Sequence, residues 1–351
     1  MVLVYWLGLA VAAMAGEAPR VQAETGKGLT VTSADERFSI GLRTRLVPRI
    51  DLALPHDGDP LSRATISTAR LWVQGHAFHK NLTYTTQLAY AARDYRDGTI
   101  SPVFDAFVDW KAHRDVGIKF GQYFVPFDRL RTVREFALQM TDRPRPVGEM
   151  TLDRDVGITL YSDHLLGDDS PVAYRIGAFG GEGINATELG DAGGLFVGRL
   201  ELRPLGSIDD DFEGDLERRD KPGLALGVGG AYNLNTQRTK STTGGRFVGG
   251  SADYRHLAAD AVFKWKGLAV QGEWLWRDAV QNTIVSTDED GAETTEWTRS
   301  GHGWIAQTSY TLAPGYEVVG RFSQLSADDG TDPKFQSDVE TRGNEVGAGF
   351  N

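Results

Sequence analysis

The chain has 351 residues, 40% hydrophobic, 10% aromatic and 24% charged, with no cysteine and a formal net charge of −11. That aromatic content excludes a disordered chain, the acidic balance argues against a nucleic-acid binder, and the missing cysteine rules out disulfides, thiolate metal sites and a cysteine nucleophile. Mean hydropathy is −0.32, and beyond the N-terminus no run approaches the ~20 apolar residues of a membrane helix; a β-barrel stays open, because its strands hide apolar residues by alternation.

Residues 2–16 form an apolar stretch containing Trp6, Leu7, Leu9 and Met14, followed by Val21-Gln22-Ala23, a small-x-small pattern. This reads as an export signal over 1–23, with the mature chain over 24–351. No Lys or Arg precedes the apolar run, and a buried N-terminal helix is the rival reading.

After residue 37 the dominant period is two. In 38–49, Phe38, Ile40, Leu42 and Leu46 share one face and Arg43, Arg45 and Arg49 the other. The same alternation predicts strands at 69–79, 82–92, 103–111, 116–124, 154–161, 171–180, 194–203, 223–234, 254–265, 268–277, 302–312, 316–325 and 343–351. That makes about fourteen, most of them near the ten residues a tilted membrane strand needs. Connections run roughly long, short, long, short, as strict antiparallel order across a membrane imposes. The long ones include 50–62, 125–153, 235–253 and 278–301; the short ones include Lys80-Asn81, Lys266-Gly267 and Ala313-Pro314-Gly315. Segment 204–222 breaks the rule, being long and acidic on the short-turn side.

Trp110, Trp265, Trp274, Trp276 and Trp304 share parity with the outward apolar residues, where amphipathic rings would sit at headgroup level. Trp72 falls on the polar parity and does not fit. The opposite parity carries twelve basic residues, among them Arg43, Arg45, Arg49, Arg70, Lys119 and Arg175, against eight acids. Such a lumen is net basic inside an acidic chain, and rings of Arg and Lys favour anions in a pore. Cross-strand pairing that merely holds the wall is the competing explanation for each. Segment 125–153 is the longest connection and is basic in its middle, through Arg129, Arg131, Arg134, Arg143 and Arg145. Folded inward it would set a constriction; the alternative is an outer cap.

Several segments together resemble a known family. Arg70-Leu71-Trp72-Val73-Gln74-Gly75-His76, Asp105-Ala106-Phe107-Val108-Asp109-Trp110 and Lys119-Phe120-Gly121-Gln122-Tyr123-Phe124-Val125-Pro126-Phe127-Asp128 resemble motifs of the phosphate-selective porin O and P family. Asp155-Val156-Gly157-Ile158 and Arg175-Ile176-Gly177-Ala178-Phe179-Gly180 resemble two more. The resemblance implies a sixteen-stranded, trimeric outer-membrane porin whose third loop narrows the pore, with basic residues guiding small anions such as phosphate. Two departures, Phe124 in place of a Lys and Gly180 or Gly181 in place of an Asn, weigh against strict phosphate selectivity.

Fourteen strands are two short of sixteen, and the chain stops at Asn351 in what reads as mid-strand. The expectation is therefore a missing C-terminal hairpin, with a complete fourteen-stranded barrel as the alternative. No cofactor or metal site is implied. His76 and His79 fall on opposite faces of a strand, and Ser162-Asp163-His164 are adjacent residues that do not converge. An enzyme is not expected. The remaining rival is a non-conducting structural or docking barrel within an envelope assembly.

Overall fold

A computed structural model describes residues 18–55, 58–94, 102–187, 190–209, 212–287, 291–313 and 315–351. The apolar stretch expected to be the export signal core lies outside the described residues, as do His56, Asp210 and Asp211. The fold is all-β. One antiparallel sheet of sixteen strands runs in the order β1-β2-β3-β4-β5-β6-β7-β8-β9-β10-β11-β14-β15-β18-β19-β20. Apart from two local hairpins, every strand pairs with its neighbours in sequence.

The chain divides into two compact units, residues 1–112 with 118–123, and residues 113–117 with 124–351. The first unit holds β1 (Arg20–Glu24), β2 (Gly28–Thr32), β3 (Phe38–Ala53), β4 (Leu61–Ala77), β5 (His79–Ala89), β6 (Val103–His113) and the body of β7 (Val116–Phe124). The second holds β8 (Arg154–Ser162), β9 (Val172–Phe179), β10 (Gly194–Leu202), β11 (Gly223–Thr236), β14 (Ala252–Trp265), β15 (Leu268–Ala279), β18 (Gly301–Ala313), β19 (Tyr316–Ala327) and β20 (Asn344–Phe350). Its longer loops carry two small hairpins, β12 (Arg238–Lys240) with β13 (Thr243–Arg246) and β16 (Thr283–Thr287) with β17 (Glu293–Trp297). Three short helices are α1 (Arg129–Thr132), α2 (Arg145–Met150) and α3 (Pro333–Arg342).

All fourteen expected strands are present, and β1 and β2 precede them, so the count of fourteen is corrected to sixteen. Those two are five residues each, too short for a periodicity signal, and β1 spans the expected cleavage position after Ala23. The two ends of the expected 50–62 loop, 50–53 and 61–62, are strand as well. The register shift between Val47 and Pro48 absorbs a residue that lacks an N–H donor, and the ladder then continues from Arg49↔Thr65 to Ala53↔Leu61. The expected Lys80-Asn81 turn is corrected: both residues lie in β5, and the β4–β5 connection is Phe78, left-handed at φ 65°. Lys266 (φ 50°) and Gly267 (φ 92°) make the two-residue β14–β15 turn with both residues left-handed, the geometry that matches strand twist. A Cβ at Gly267 would also stand 2.8 Å from the Thr311 carbonyl oxygen.

The polarity of the sheet is inverted relative to a water-soluble protein. In the second unit Ile176, Phe196, Leu200, Val228, Leu257, Val270, Tyr310 and Val318 are all exposed. Their alternating neighbours Arg199, Glu201, Asp260, Lys264, Glu273, Arg277, Glu317 and Arg321 are buried. Of the twenty charges assigned from sequence to the inward parity, only Lys111 is exposed. Trp110, Trp265, Trp274 and Trp304 are exposed on the apolar face and Trp276 is half-buried there.

Candidate functional site

In the first unit, Arg43, Arg45 and Arg49 stand half-buried on one face of β3, alternating with exposed Leu42, Leu46, Ile50 and Leu52. The β3–β4 register sets Arg45 opposite Arg70 and Arg43 opposite Trp72. The Arg43 guanidinium lies 6.0 Å from the Trp72 ring centroid, which accounts for a Trp on the polar parity: it is a platform for a cation. An acid shares this face of β3 with the arginines. Because β3 runs on past residue 49, Asp51 joins the same face and binds Arg49, and Arg63 reaches it at 2.8 Å. Arg70 is enclosed rather than pore-lining. Both its terminal nitrogens bond Asp94, one at 2.8 Å, and it stacks 4.3 Å from the Phe104 centroid. Lys119 lies 3.4 Å from Asp109 and 4.7 Å from the Phe107 ring centroid.

In the second unit the 125–153 segment folds onto the inward face of the sheet, not over it as a cap. Asp128 starts α1 by accepting the Arg131 amide at 2.7 Å, and the Thr151 hydroxyl holds its other oxygen. Burial raises the Asp128 carboxyl above its ordinary range, outweighing those hydrogen bonds and the nearby Arg199 and Arg131. Glu273 of β15 accepts the Arg129 and Leu130 amides at 3.0 and 2.9 Å. The Arg129 side chain reaches Asp260 at 2.7 Å, and Arg199 bridges Asp260 (2.7 Å), Glu201 (2.9 Å) and the Phe127 carbonyl (3.1 Å). Arg175 joins the same carboxylate group, 3.7 Å from Glu201 and 3.0 Å from Asp163. The acids thus neutralise most of the cations that sequence parity placed on this wall.

Four more anchors follow along the segment. Gln139 donates to Glu317 at 2.5 Å and accepts from Gln307 at 2.8 Å. Arg321 donates to the Asp142 carbonyl at 2.9 Å and to Glu345 at 3.2 Å, while Arg145 pairs with Asp338. Glu149 of α2 is gripped by Arg277 (2.9 Å), Lys240 (2.5 Å) and Arg299 (3.5 Å). Burial alone would raise the Glu149 carboxyl, but those three cations together hold it below its ordinary range.

The five expected constriction arginines therefore divide. Arg129 and Arg131 are fastened to Asp260 and Asp153, the latter at 2.5 Å. Arg143 donates to the Leu130 carbonyl at 3.2 Å and to that of Val133, closing the segment on itself; burial, with Arg131 nearby, pulls it down to about 10. Arg145 ties to Asp338, and Arg134 alone of the five is exposed, 6.0 Å from the Phe136 ring centroid. Phe124, where the resembled motif has a Lys, is covered by Arg154 at 3.6 Å and Arg131 at 5.3 Å from its centroid.

Two features escaped the sequence reading. The described residues of the irregular 203–222 segment also meet inward residues of the sheet. Lys264 clasps the carbonyls of Asp209 (2.6 Å) and Phe212 (2.5 Å), Asp215 accepts the Gly267 amide at 2.7 Å, and Glu213 meets Gln139 and Gln307 at 2.7 and 2.9 Å. Its unusual length on the short-turn side was the available signal. The second is the run Gly227-Val228-Gly229-Gly230, which lacks the residues of a phosphate loop. A Cβ at Gly229 would lie 2.3 Å from the Phe127 carbonyl oxygen, so this glycine makes the seat on which the 125–153 segment docks. Among the described residues no group of three His, Asp or Glu is arranged to hold a metal. His164 bonds the Ser170 carbonyl at 3.2 Å and Asp163 pairs with Arg175, so each has a partner in the turn.

No protein-family model matches the chain, and no curated protein matches it in sequence. Among solved structures it is similar to an anion-selective porin from Comamonas acidovorans, with 11% identity, 82% of this chain and 80% of that one covered, and a TM-score of 0.48. It is likewise similar to OprB of Pseudomonas putida, with 11% identity, 85% and 78% covered, and a TM-score of 0.49. The outer-membrane channel DcaP of Acinetobacter baumannii matches at 12% identity, 90% and 85% covered, with a TM-score of 0.46.

Proposed function

We propose that this protein is an outer-membrane porin, a passive diffusion channel for small solutes with a preference for anions. The inverted polarity of the sheet carries this reading. A Leu-sized side chain left in water forgoes ~1.5–3 kcal/mol, so a whole face of exposed Leu, Ile, Val and Phe alternating with buried charge suits hydrocarbon outside and water inside. The segment folded onto the charged face narrows the passage. Passage needs neither a nucleophile nor a cofactor, so the reading is of a non-enzymatic channel. Export by an N-terminal signal over residues 1–23, assembly as a homotrimer and passage of phosphate among other small anions belong to the same reading.

The anion preference rests on the first unit, where Arg43 and Arg45 are half-buried on the polar face and Arg70 is fixed behind them. The test is reversal potential in planar bilayers under a KCl gradient. The wild type should conduct and favour chloride. Arg43→Gln with Arg45→Gln should move the reversal potential toward potassium with strand content intact; an unchanged potential would defeat the assignment of these residues. A second reading has its own support. The 125–153 and 203–222 segments meet through Gln139 and Glu213, which suits a closed, non-conducting barrel that docks with an envelope partner. Absence of any conductance in the wild type would favour it.

A further inference from the structure

We infer that Lys240, Arg277 and Arg299 form a binding site for a carboxylate-bearing solute, and that the Glu149 side chain occupies it as an internal stand-in. The inference rests on the porin reading and gives its solute class. The three cations come from separate parts of the second unit: the β12 hairpin, the end of β15 and the segment before β18. They converge on one carboxylate, with Arg277 on one oxygen at 2.9 Å and Lys240 and Arg299 on the other at 2.5 and 3.5 Å. Cations thus meet both oxygens of the carboxylate, one guanidinium nitrogen of Arg277 on the first and Lys240 with Arg299 on the second, the charge-assisted contacts by which proteins hold carboxylate ligands.

The charges do not balance as a purely structural latch would. Asp332 takes part of Arg299 at 2.9 Å, leaving three cations to two acids. Arg277 is fully buried, and its Nε and Nη1 are spent on the Arg299 and Glu149 carbonyls, so it is a fixed floor. Lys240 and Arg299 are 21% and 24% exposed, and through them a second carboxylate can enter. Glu149 is 11% exposed and sits on the six-residue helix α2, so the stand-in is carried by the segment that narrows the passage. Displacing Glu149 exchanges one carboxylate for another, with no uncompensated charge buried.

The test uses the full chain refolded in detergent, titrated calorimetrically with sodium glutarate, whose ends copy the Glu side chain. Glu149→Gln removes the competitor and keeps the shape; glutarate should bind it about tenfold more tightly than the wild type, the scale of one charge-assisted hydrogen bond. Inorganic phosphate should gain less, and an equal gain would overturn the assignment to carboxylates. If Glu149→Gln does not refold, Lys240→Gln and Arg299→Gln carry the test, because each removes a cation and leaves Glu149 on Arg277. Glutarate affinity unchanged in both would sink the site. Binding is read without conductance, so a chain that binds glutarate but passes no current would keep the site and lose the porin.

Discussion

Arg70 shows how one residue can be read correctly for face and wrongly for role. Its position on the polar parity is right, but both terminal nitrogens are committed to Asp94 under the Phe104 ring. Removing one partner of a buried pair leaves the other charge stranded, at a cost of ~3–5 kcal/mol. Arg70→Met should therefore lower the melting temperature of the refolded protein sharply, and adding Asp94→Asn should recover much of the loss; an additive double variant would show the pair to be unimportant. Glu149 gives a pH prediction with a definite sign. Its folded carboxyl is held below the ordinary glutamate value of 4.5, so the stability it contributes is present above that value. It is lost only as pH falls through the lower folded value. Limited proteolysis across 125–153 should stay slow down to about pH 4.5 and speed up below it. Glu149→Gln should remove that transition, and a profile unchanged by the substitution would remove Glu149 from the latch.

At the scale of elements, the strands follow from alternation, while the two inserted segments follow from pairings between residues far apart in sequence. The 125–153 segment has no long helix of its own to hold it, with α1 and α2 only four and six residues long. Helices of that length do not persist alone; the wall's Glu273, Asp260, Arg277 and Glu317 supply what is missing. The 203–222 segment is held in the same way by Lys264 and the Gly267 amide. Removing residues 206–216 should raise single-channel conductance in a planar bilayer, and shortening 129–150 as well should raise it further. Conductance indifferent to both deletions would mean that neither segment stands in the passage.

For the whole molecule, the opposition between an acidic chain and a basic inner face softens once side chains are placed. Three of the eight inward acids stand together. Glu201, Asp260 and Glu273 gather beneath α1, where Arg129, Arg175 and Arg199 meet them. The partly exposed cations include Arg43 and Arg45 in the first unit and Lys240 and Arg299 in the second. Selectivity in this reading belongs to those positions more than to the net charge of the wall.

The sequence by itself determined the all-β class, the fourteen longer strands and the outward and inward faces, and left 125–153 open between an inward fold and a cap. Each depends on a period of two, or on segment length, which survive without tertiary information. It missed β1 and β2, since five residues carry too few alternations to count. It also read Arg129, Arg131 and Arg70 as solute-facing. Parity says which face a side chain takes but not what stands opposite it, and the opposing acids Asp260, Asp153 and Asp94 lie 131, 22 and 24 residues away. Only the fold decided which charges are spent on holding a segment and which stay open to solvent, because ion pairing acts through distances of a few ångströms that no spacing along the chain records.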